Sequence, residues 1–330
     1  MQVTYTLKQL HLRETFAIAY GNYDTRNALL VALSYKGKVG YGECVEINYY
    51  GIQLSDFILK LEELRSWLDI QPIIHPQDFY HKLEQLTIHS FLRSALDCAY
   101  WDLYGKLEGI SFLELNKLTQ QPTVQSSYTI TVAPVAEQIA KIKNHSWPKF
   151  KVKSNGFDKV ALQTLAALDY QISIDANASM SQQDCKWIQQ QEFASKFMYF
   201  EQPMKVGDYP ILKRDGKANW MADEDALNES ILPQLKPHYK SVNVKLMKCG
   251  GLTPALQLIK KAKEHNFKVM LGCMTESSVG ISAACALAGL LDYADLDGAA
   301  LIANDYASGS FVKEGKIFLS EKPGLGISLL

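Results

Sequence analysis

Apolar and polar positions repeat with different periods along this chain, and the change of pattern divides it. In the first hundred residues, 3–10, 27–35 and 38–43 have strand character, with Lys36 and Gly37 forming a hairpin turn. Residues 54–68 and 77–86 show helical spacing. Residues 91–107 form a long amphipathic helix that Gly105 and the polar stretch beyond it are expected to close. Strands and helices do not alternate here, which predicts an α+β segment.

From about residue 123 the pattern becomes strand, helix, strand, helix. Residues 127–132, 150–154, 171–175, 197–201, 220–223, 241–245, 268–272 and 294–297 are expected strands. Residues 134–143, 157–168, 181–192, 254–265 and 278–290 are helical stretches between them. Eight strands alternating with helices predict parallel pairing, because parallel neighbours need crossover connections. A closed barrel and an open doubly wound sheet share this alternation. The polar residues at the strand ends favour the barrel.

Those ends carry Lys153, Asp175, Glu201, Asp223, Lys245 and Asp295. The first five are separated by 22, 26, 22 and 22 residues, about one β/α unit each. In a barrel such ends meet at one mouth, where barrel active sites lie. Asp175, Glu201 and Asp223 would repel one another there without a cation, and an oxygen-only set suits Mg²⁺. Taken singly, each could instead cap the helix that follows it.

Lys153 and Lys245 flank the trio, and Lys151 points to the same strand face as Lys153. An ammonium beside another ammonium and a divalent ion is expected to bind its proton less tightly, which suits a general base near neutral pH. Lys248 is read as a loop lysine. Asp295 and Asp297 are expected to share a face of the last strand, where they could hold a cationic group, cap a helix or form a rim ion pair. Gly250 and Gly251 fit a tight strand-to-helix turn. None of the seven histidines falls at an expected strand end.

Composition narrows the function classes. With 47% hydrophobic and 21% charged residues in 330, the chain suits an ordinary globular fold, either one large domain or a barrel with a smaller partner domain. Thirty-four Lys/Arg against 35 Asp/Glu argue against a polyanion-binding surface, so no nucleic-acid partner is expected. The start, MQVTYTLKQLHLRETF, carries charge where a secretory signal needs an apolar stretch. The apolar run at 280–291 is too short to span a bilayer. Six scattered cysteines without a CxxC pair fit free thiols in a reducing cytoplasm. No membrane partner and a cytoplasmic location are the expectations.

Several strings together resemble the enolase superfamily, in particular its muconate-lactonizing subgroup and the dipeptide epimerases within it. They are KVK (Lys151 to Lys153), IDAN (Ile174 to Asn177), FEQP (Phe200 to Pro203), ADED (Ala222 to Asp225), NVKLMKCGG (Asn243 to Gly251) and DLDG (Asp295 to Gly298). ALDCAYWDLYGK (Ala95 to Lys106) and GLGI (Gly324 to Ile327) extend the match nearly end to end. The resemblance implies a (β/α)7β-type modified TIM barrel over residues 121–310. An α+β capping domain over residues 1–120 is implied with it, together with a tail, residues 311–330, that returns to the cap.

The resemblance also implies roles. Asp175, Glu201 and Asp223 would ligate one Mg²⁺ per site. Lys153 and Lys245 would be opposing acid/bases, with Lys151 assisting. Asp295 and Asp297 would bind the α-ammonium of a dipeptide. Tyr20, Arg26, Cys273 and Met274 complete the candidate substrate-binding set. The implied reaction is inversion at the C-terminal residue of an L-Ala-Xaa dipeptide, by 1,1-proton transfer through a Mg²⁺-stabilised enediolate.

Epimerases acting on L-Ala-L-Glu resemble one another in an arginine of the first capping loop. Alignment on Phe16 puts Gly21 there, with Tyr20 beside it and Arg26 five residues on, which leaves both an acidic and an apolar second residue open. The alternatives are o-succinylbenzoate synthase, N-acylamino acid racemase or muconate cycloisomerase chemistry, or a non-catalytic binding barrel. A homo-oligomer is left open.

Overall fold

The computed structural model describes residues 1–330. It begins with an antiparallel sheet of β1 (Gln2–Ile18), β2 (Gly21–Tyr35) and β3 (Lys38–Val45), in that order. Helices α1 (Leu54–Asp69), α2 (Pro76–Glu84) and α3 (Ser90–Glu108) follow, α1 and α3 packing on the sheet and α2 on α3. β1 runs farther than its alternation predicts. Its ladder with β2 holds as far as His11↔Thr25, breaks, and resumes at Phe16↔Tyr23. At the break the chain pairs elsewhere: Ala303 N donates to His11 O at 2.8 Å and Leu12 bridges Ile302.

α3 does not stop at Gly105, as the sequence suggested. It continues to Gly109, whose φ of 75° ends it in the left-handed region. Gly105 serves close approach instead, because a Cβ there would lie 2.6 Å from the Cα of Gly324.

After α4 (Phe112–Leu115) come eight parallel strands: β4 (Tyr128–Ile130), β5 (Lys149–Lys153), β6 (Gln171–Asp175), β7 (Phe200–Glu201), β8 (Trp220–Ala222), β9 (Ser241–Val244), β10 (Lys268–Gly272) and β11 (Tyr293–Asp295). Each pairs with the next. Between them run α5 (Val135–Lys143), α6 (Lys159–Ala166), α7 (Gln182–Gln190), α8 (Leu232–Leu235), α9 (Leu246–Cys249), α10 (Leu252–Glu264) and α11 (Ser278–Cys285). Several strands are shorter than the apolar runs suggested. β7, for example, overlaps β6 only through Ile174↔Phe200 and Asp175↔Glu201.

The barrel closes without a β4–β11 ladder. A single bridge joins Ser126 to Ala294, and Leu296 N donates to Ser126 Oγ at 2.8 Å. A 3-10 turn, Gly298–Leu301, takes the place of an eighth crossover helix. This is a (β/α)7β-type barrel beside an antiparallel sheet, with a 3-10 turn, Tyr209–Ile211, in place of an α-helix between β7 and β8. The chain ends in two short hairpin-like pairs, β12 (Ala307–Ser308) with β15 (Ser328–Leu329) and β13 (Phe311–Lys313) with β14 (Lys316–Phe318). Leu325 N, near the end, donates to Asp102 Oδ1 of α3 at 2.8 Å.

Two large apolar cores result, one of 56 buried residues in the barrel and one of 28 under the antiparallel sheet, with a small third cluster of Tyr199, Met221 and Met270. α3 feeds both, giving Trp101 to the first and Leu96, Ala99 and Leu103 to the second. Buried polar contacts fix the junction. Glu43 on β3 accepts from Ser277 N at 2.8 Å and Ser277 Oγ at 2.6 Å at the start of α11, and also from Tyr306 Oη. Asp97 on α3 accepts from Thr253 N and Oγ1, each at 2.8 Å, in the first turn of α10. Leaving such groups unpaired in the interior would cost about 1–3 kcal/mol each, so they specify one mutual orientation. No helix is long and apolar enough to cross a membrane.

Candidate active site

The strand ends bring the ionisable residues together. On β5, Phe150 and Val152 enter the apolar core, so Lys149, Lys151 and Lys153 point the other way, the latter two to the barrel interior. Asp175 and Glu201 end β6 and β7, Asp223 follows β8, and all three are fully buried. Lys153 Nζ lies 2.5 Å from Asp175 Oδ2, and Lys245 Nζ lies 2.7 Å from Asp223 Oδ2. Lys151 Nζ stands between Asp175 Oδ2 at 3.6 Å and Glu201 Oε2 at 3.5 Å, and is paired with Asp295.

Lys248 is not a loop lysine. Residues 246–249 form α9, so Lys248 lies one helical turn from Lys245 and both reach the same carboxylate. It is buried, donates to Asp223 O at 2.5 Å and pairs with Asp223 Oδ1. Asp295 and Asp297 also differ from expectation. β11 ends at Asp295, so Asp297 lies beyond the strand and accepts from Thr129 N at 2.6 Å, while Asp295 binds Lys151.

Lys151, Glu201, Asn243 and Asp295 contact one another in a chain drawn from β5, β7, β9 and β11, the alternate-strand layering of a filled barrel. The loops above are held in uncommon backbone geometry. Asn177, Ala178 and Gln202 have φ of 42°, 62° and 31°. Gln202 Oε1 accepts from Asp223 N at 3.0 Å and Asp225 N at 3.2 Å, which fixes the turn that presents Asp223.

Burial, with Asp175 and Asp223 close by, pushes the Glu201 carboxyl up to about 8 despite Lys151. Burial also works against Asp223, but Lys245 and Lys248 outweigh it and hold that carboxyl well below the ordinary range. Asp297 is pushed up to about 7 by burial and by Asp295. Burial disfavours the charged forms of Lys151 and Lys245, yet the carboxylates facing them prevail and raise both.

A cavity of about 60 Å³ opens over these groups. Lys151, Lys153, Lys245, Asp295 and Asp297 line it, and so do Tyr20, Arg26, Cys273 and Met274. Asp175, Glu201 and Asp223 lie behind that lining. Arg26 is buried, makes one hydrogen bond from Nη1 to Glu46 O at 2.9 Å, and lies 4.5 Å from the Tyr23 ring centre. Its Nε has no partner. Tyr20, at the β1–β2 turn, stacks on Tyr49 with ring centres 4.8 Å apart.

Sequence reasoning missed Asn177, Asn243, Thr129 and Phe16. Asn177 Oδ1 lies 3.4 Å from Lys153 Nζ, and its place in the IDAN string was a usable signal. Thr129 and Phe16 line the cavity through strands far apart in sequence, and nothing local marks them.

The three carboxylates suit a hard cation by donor type, since all are oxygens. Glu201 Oε2 is buried with no hydrogen-bond partner, as a ligand oxygen held in reserve would be. In the present geometry, however, no group of three or more His, Cys, Asp or Glu side chains stands at metal-holding spacing, because lysine ammoniums are interposed.

The enolase C-terminal domain-like family matches residues 134–330. The chain is 35% identical to an L-Ala-D/L-amino acid epimerase of Maribacter, across 100% of this chain and 99% of that protein. It is 33% identical to an L-Ala-D/L-amino acid epimerase of Flavobacterium johnsoniae, across 97% of each. Among solved structures, a dipeptide epimerase from Methylococcus capsulatus complexed with Mg and the dipeptide L-Arg-D-Lys superposes with a TM-score of 0.88 at 27% identity, covering 99% of this chain and 98% of that one.

Proposed function

This chain belongs to the enolase C-terminal domain-like family, and from that premise we propose that it is a Mg²⁺-dependent dipeptide epimerase inverting the α-carbon of the second residue. One observation carries the reading. Lys153 and Lys245 line the same cavity from strands four places apart in an eight-stranded barrel, with the trio from β6, β7 and β8 between them. Two amines on opposite sides of one carbon suit inversion, whereas a one-directional elimination needs only one base.

Asp175, Glu201 and Asp223 would hold the ion, which would supply Lewis-acid stabilisation to the substrate carboxylate as negative charge builds on it. With the ion bound, Lys153 and Lys245, which here pair with Asp175 and Asp223, would have their amines free for proton transfer. One lysine takes the α-proton and its bonding pair spreads into the carboxylate as an enediolate. The other lysine, protonated, delivers a proton to the opposite face. Lys151 holds Asp295 and so orders the ammonium end of the site. Asp295 and Asp297 would take the α-ammonium, and Arg26 faces the side chain of the second residue. The division into a cap of residues 1–120, a barrel of 121–310 and a returning tail of 311–330 accompanies this reading.

The test is incubation with a dipeptide library in D₂O, with and without Mg²⁺, read by mass spectrometry. A metal-dependent gain of one deuteron at the second residue is expected. Lys153→Ala and Lys245→Ala should each abolish epimerisation while leaving exchange confined to opposite stereoisomers. Absence of exchange throughout the library, or the same stereoisomer in both variants, would overturn the proposal.

A further inference from the structure

A second cavity, of about 470 Å³ against about 60 Å³ over the lysines, lies where the helices under the antiparallel sheet meet the barrel. On this measure one water needs roughly 10–15 Å³, so the space admits an organic molecule. No residue lines both cavities. α2 and the first turn of α3 form one side of the second, and α9 and α10 form the other. Tyr80, Phe91, Lys248 and Leu258 are its buried walls, while Glu84 and Glu229 stand exposed at its rim.

Arg93, in the first turn of α3, is a half-buried cation of this cavity that lacks a counter-charge. Its Nη2 donates to Ile88 O at 2.9 Å, and its buried Nε has no partner. The nearby acids are engaged elsewhere or exposed. Asp97, one turn on along α3, is taken by Thr253, and Glu84 Oε2 lies 3.8 Å from His81 Nδ1. Lys248, the other cation in the lining, is already paired with Asp223. Gly250 brings the chain close to Arg93 from the barrel side. Its φ is 103°, and a Cβ there would lie 3.0 Å from Tyr80 Oη and 3.6 Å from Arg93 Cδ.

A guanidinium with unused donors and little access to water suits an oxyanion, which it binds by charge-assisted hydrogen bonds. The positive end of a 19-residue helix acts in the same direction. Phe91, Pro254 and Leu258 offer apolar surface in the same cavity, enough to cover an uncharged body. We propose that this junction cavity binds a small organic anion, with its acid group on Arg93 and an apolar or aromatic body against Phe91, Pro254 and Leu258. The head group is a carboxylate or a phosphate, which Arg93 recognises by the same chemistry. The site is separate from the cavity over the lysines and does not depend on the epimerase reading.

The experiment titrates benzoate and phenyl phosphate into the full chain, with and without Mg²⁺, and reads binding by calorimetry. Benzyl alcohol supplies the body without the charge. At least one anion should bind about tenfold or more tighter than benzyl alcohol, to the same extent with and without metal. The tighter of the two assigns the head group. Arg93→Gln should weaken that binding by about tenfold or more. Gln257→Trp narrows the cavity from an exposed position on α10 and gives the same reading should Arg93→Gln not fold. Arg26→Gln removes a cation of the other cavity and should leave binding unchanged. No binding by either anion, equal binding of benzyl alcohol, binding that needs Mg²⁺, or a loss in Arg26→Gln in place of Arg93→Gln overturns this inference and leaves the epimerase reading standing. Absence of exchange throughout the dipeptide library overturns that reading and leaves this one standing.

Discussion

Asn243 Nδ2 donates to Glu201 Oε1 at 2.7 Å, reaching across the barrel interior from β9 to β7. Gly272 on the next strand makes room for it, since a Cβ there would lie 2.7 Å from Asn243 Oδ1. This bond directs Glu201 and leaves its other oxygen, 3.5 Å from Lys151 Nζ, without a hydrogen-bond partner. Partners that orient a metal ligand typically contribute 10–100-fold in affinity. Asn243→Ala is therefore expected to raise the half-saturating Mg²⁺ concentration by about 10–100-fold. Gly272→Ala should act in the same direction by displacing the amide. Metal titration by calorimetry, alongside deuterium exchange, measures both. Unchanged Mg²⁺ affinity in Asn243→Ala would remove Glu201 from the ligand set.

Asp295 and Asp297 are expected to fail differently. Asp297 accepts from a backbone amide and touches no lysine in the site, so Asp297→Asn should chiefly raise KM for dipeptides with a free α-ammonium. Asp295 is also the ion-pair partner of Lys151, so Asp295→Asn should lower kcat as well. The split is read from steady-state kinetics. Faster turnover of N-acylated amino acids than of free dipeptides by wild type would instead favour racemase chemistry on acyl substrates.

Arg26 is a buried cation with one hydrogen bond and an unpartnered Nε. Burial lowers its pKa, and no carboxylate is paired with it, so an incoming acid group would relieve a real deficit. Charge-assisted hydrogen bonds contribute about 1.5–3 kcal/mol. Arg26→Gln should therefore lower kcat/KM for dipeptides with an acidic second residue by about 10–100-fold. Dipeptides with an apolar second residue should be unaffected or improved. Equal losses on both classes would assign Arg26 to structure alone.

Asp97, on α3, should make stability pH-dependent. Burial raises its carboxyl from 3.8 to about 7, against the pull of the Thr253 amide and hydroxyl. A group raised on folding contributes stability that is complete below its unfolded pKa and is lost as pH rises through its folded value. Asp97 thus favours the fold at about pH 4 and opposes it above about pH 7. Asp97→Asn, which cannot titrate, should flatten the fall in Tm between about pH 4 and 7. Calorimetry across that window would show it, and a variant profile parallel to wild type would refute it.

Much of the site was legible because a barrel turns a sequence period into a spatial cluster. Lys153, Asp175, Glu201, Asp223 and Lys245 recur once per β/α unit, and each lies at or directly after a strand end. Lys248 was missed because a four-residue helix, too short to leave a periodic pattern, carries it round to Asp223. Asn243 was missed because its partner lies two strands away, so no spacing along the chain records the layer they share. Gly105 misled for a related reason. A glycine kept for close packing and a glycine that ends a helix look the same until the neighbouring chain is known. The break in β1 was hidden because its replacement partner, Ile302, lies at the other end of the chain.

The contact between Glu43 and Ser277 bears on how a peptide could enter. With a carboxylate of the antiparallel sheet locked onto the first turn of α11, that sheet cannot swing away as a hinged body without stranding buried polar groups. The hairpin tip, where Tyr20 stacks on Tyr49, is free of that lock. Admission and release would be set by fraying of a few residues and not by domain motion, a gate that could be retuned without disturbing the catalytic floor beneath it.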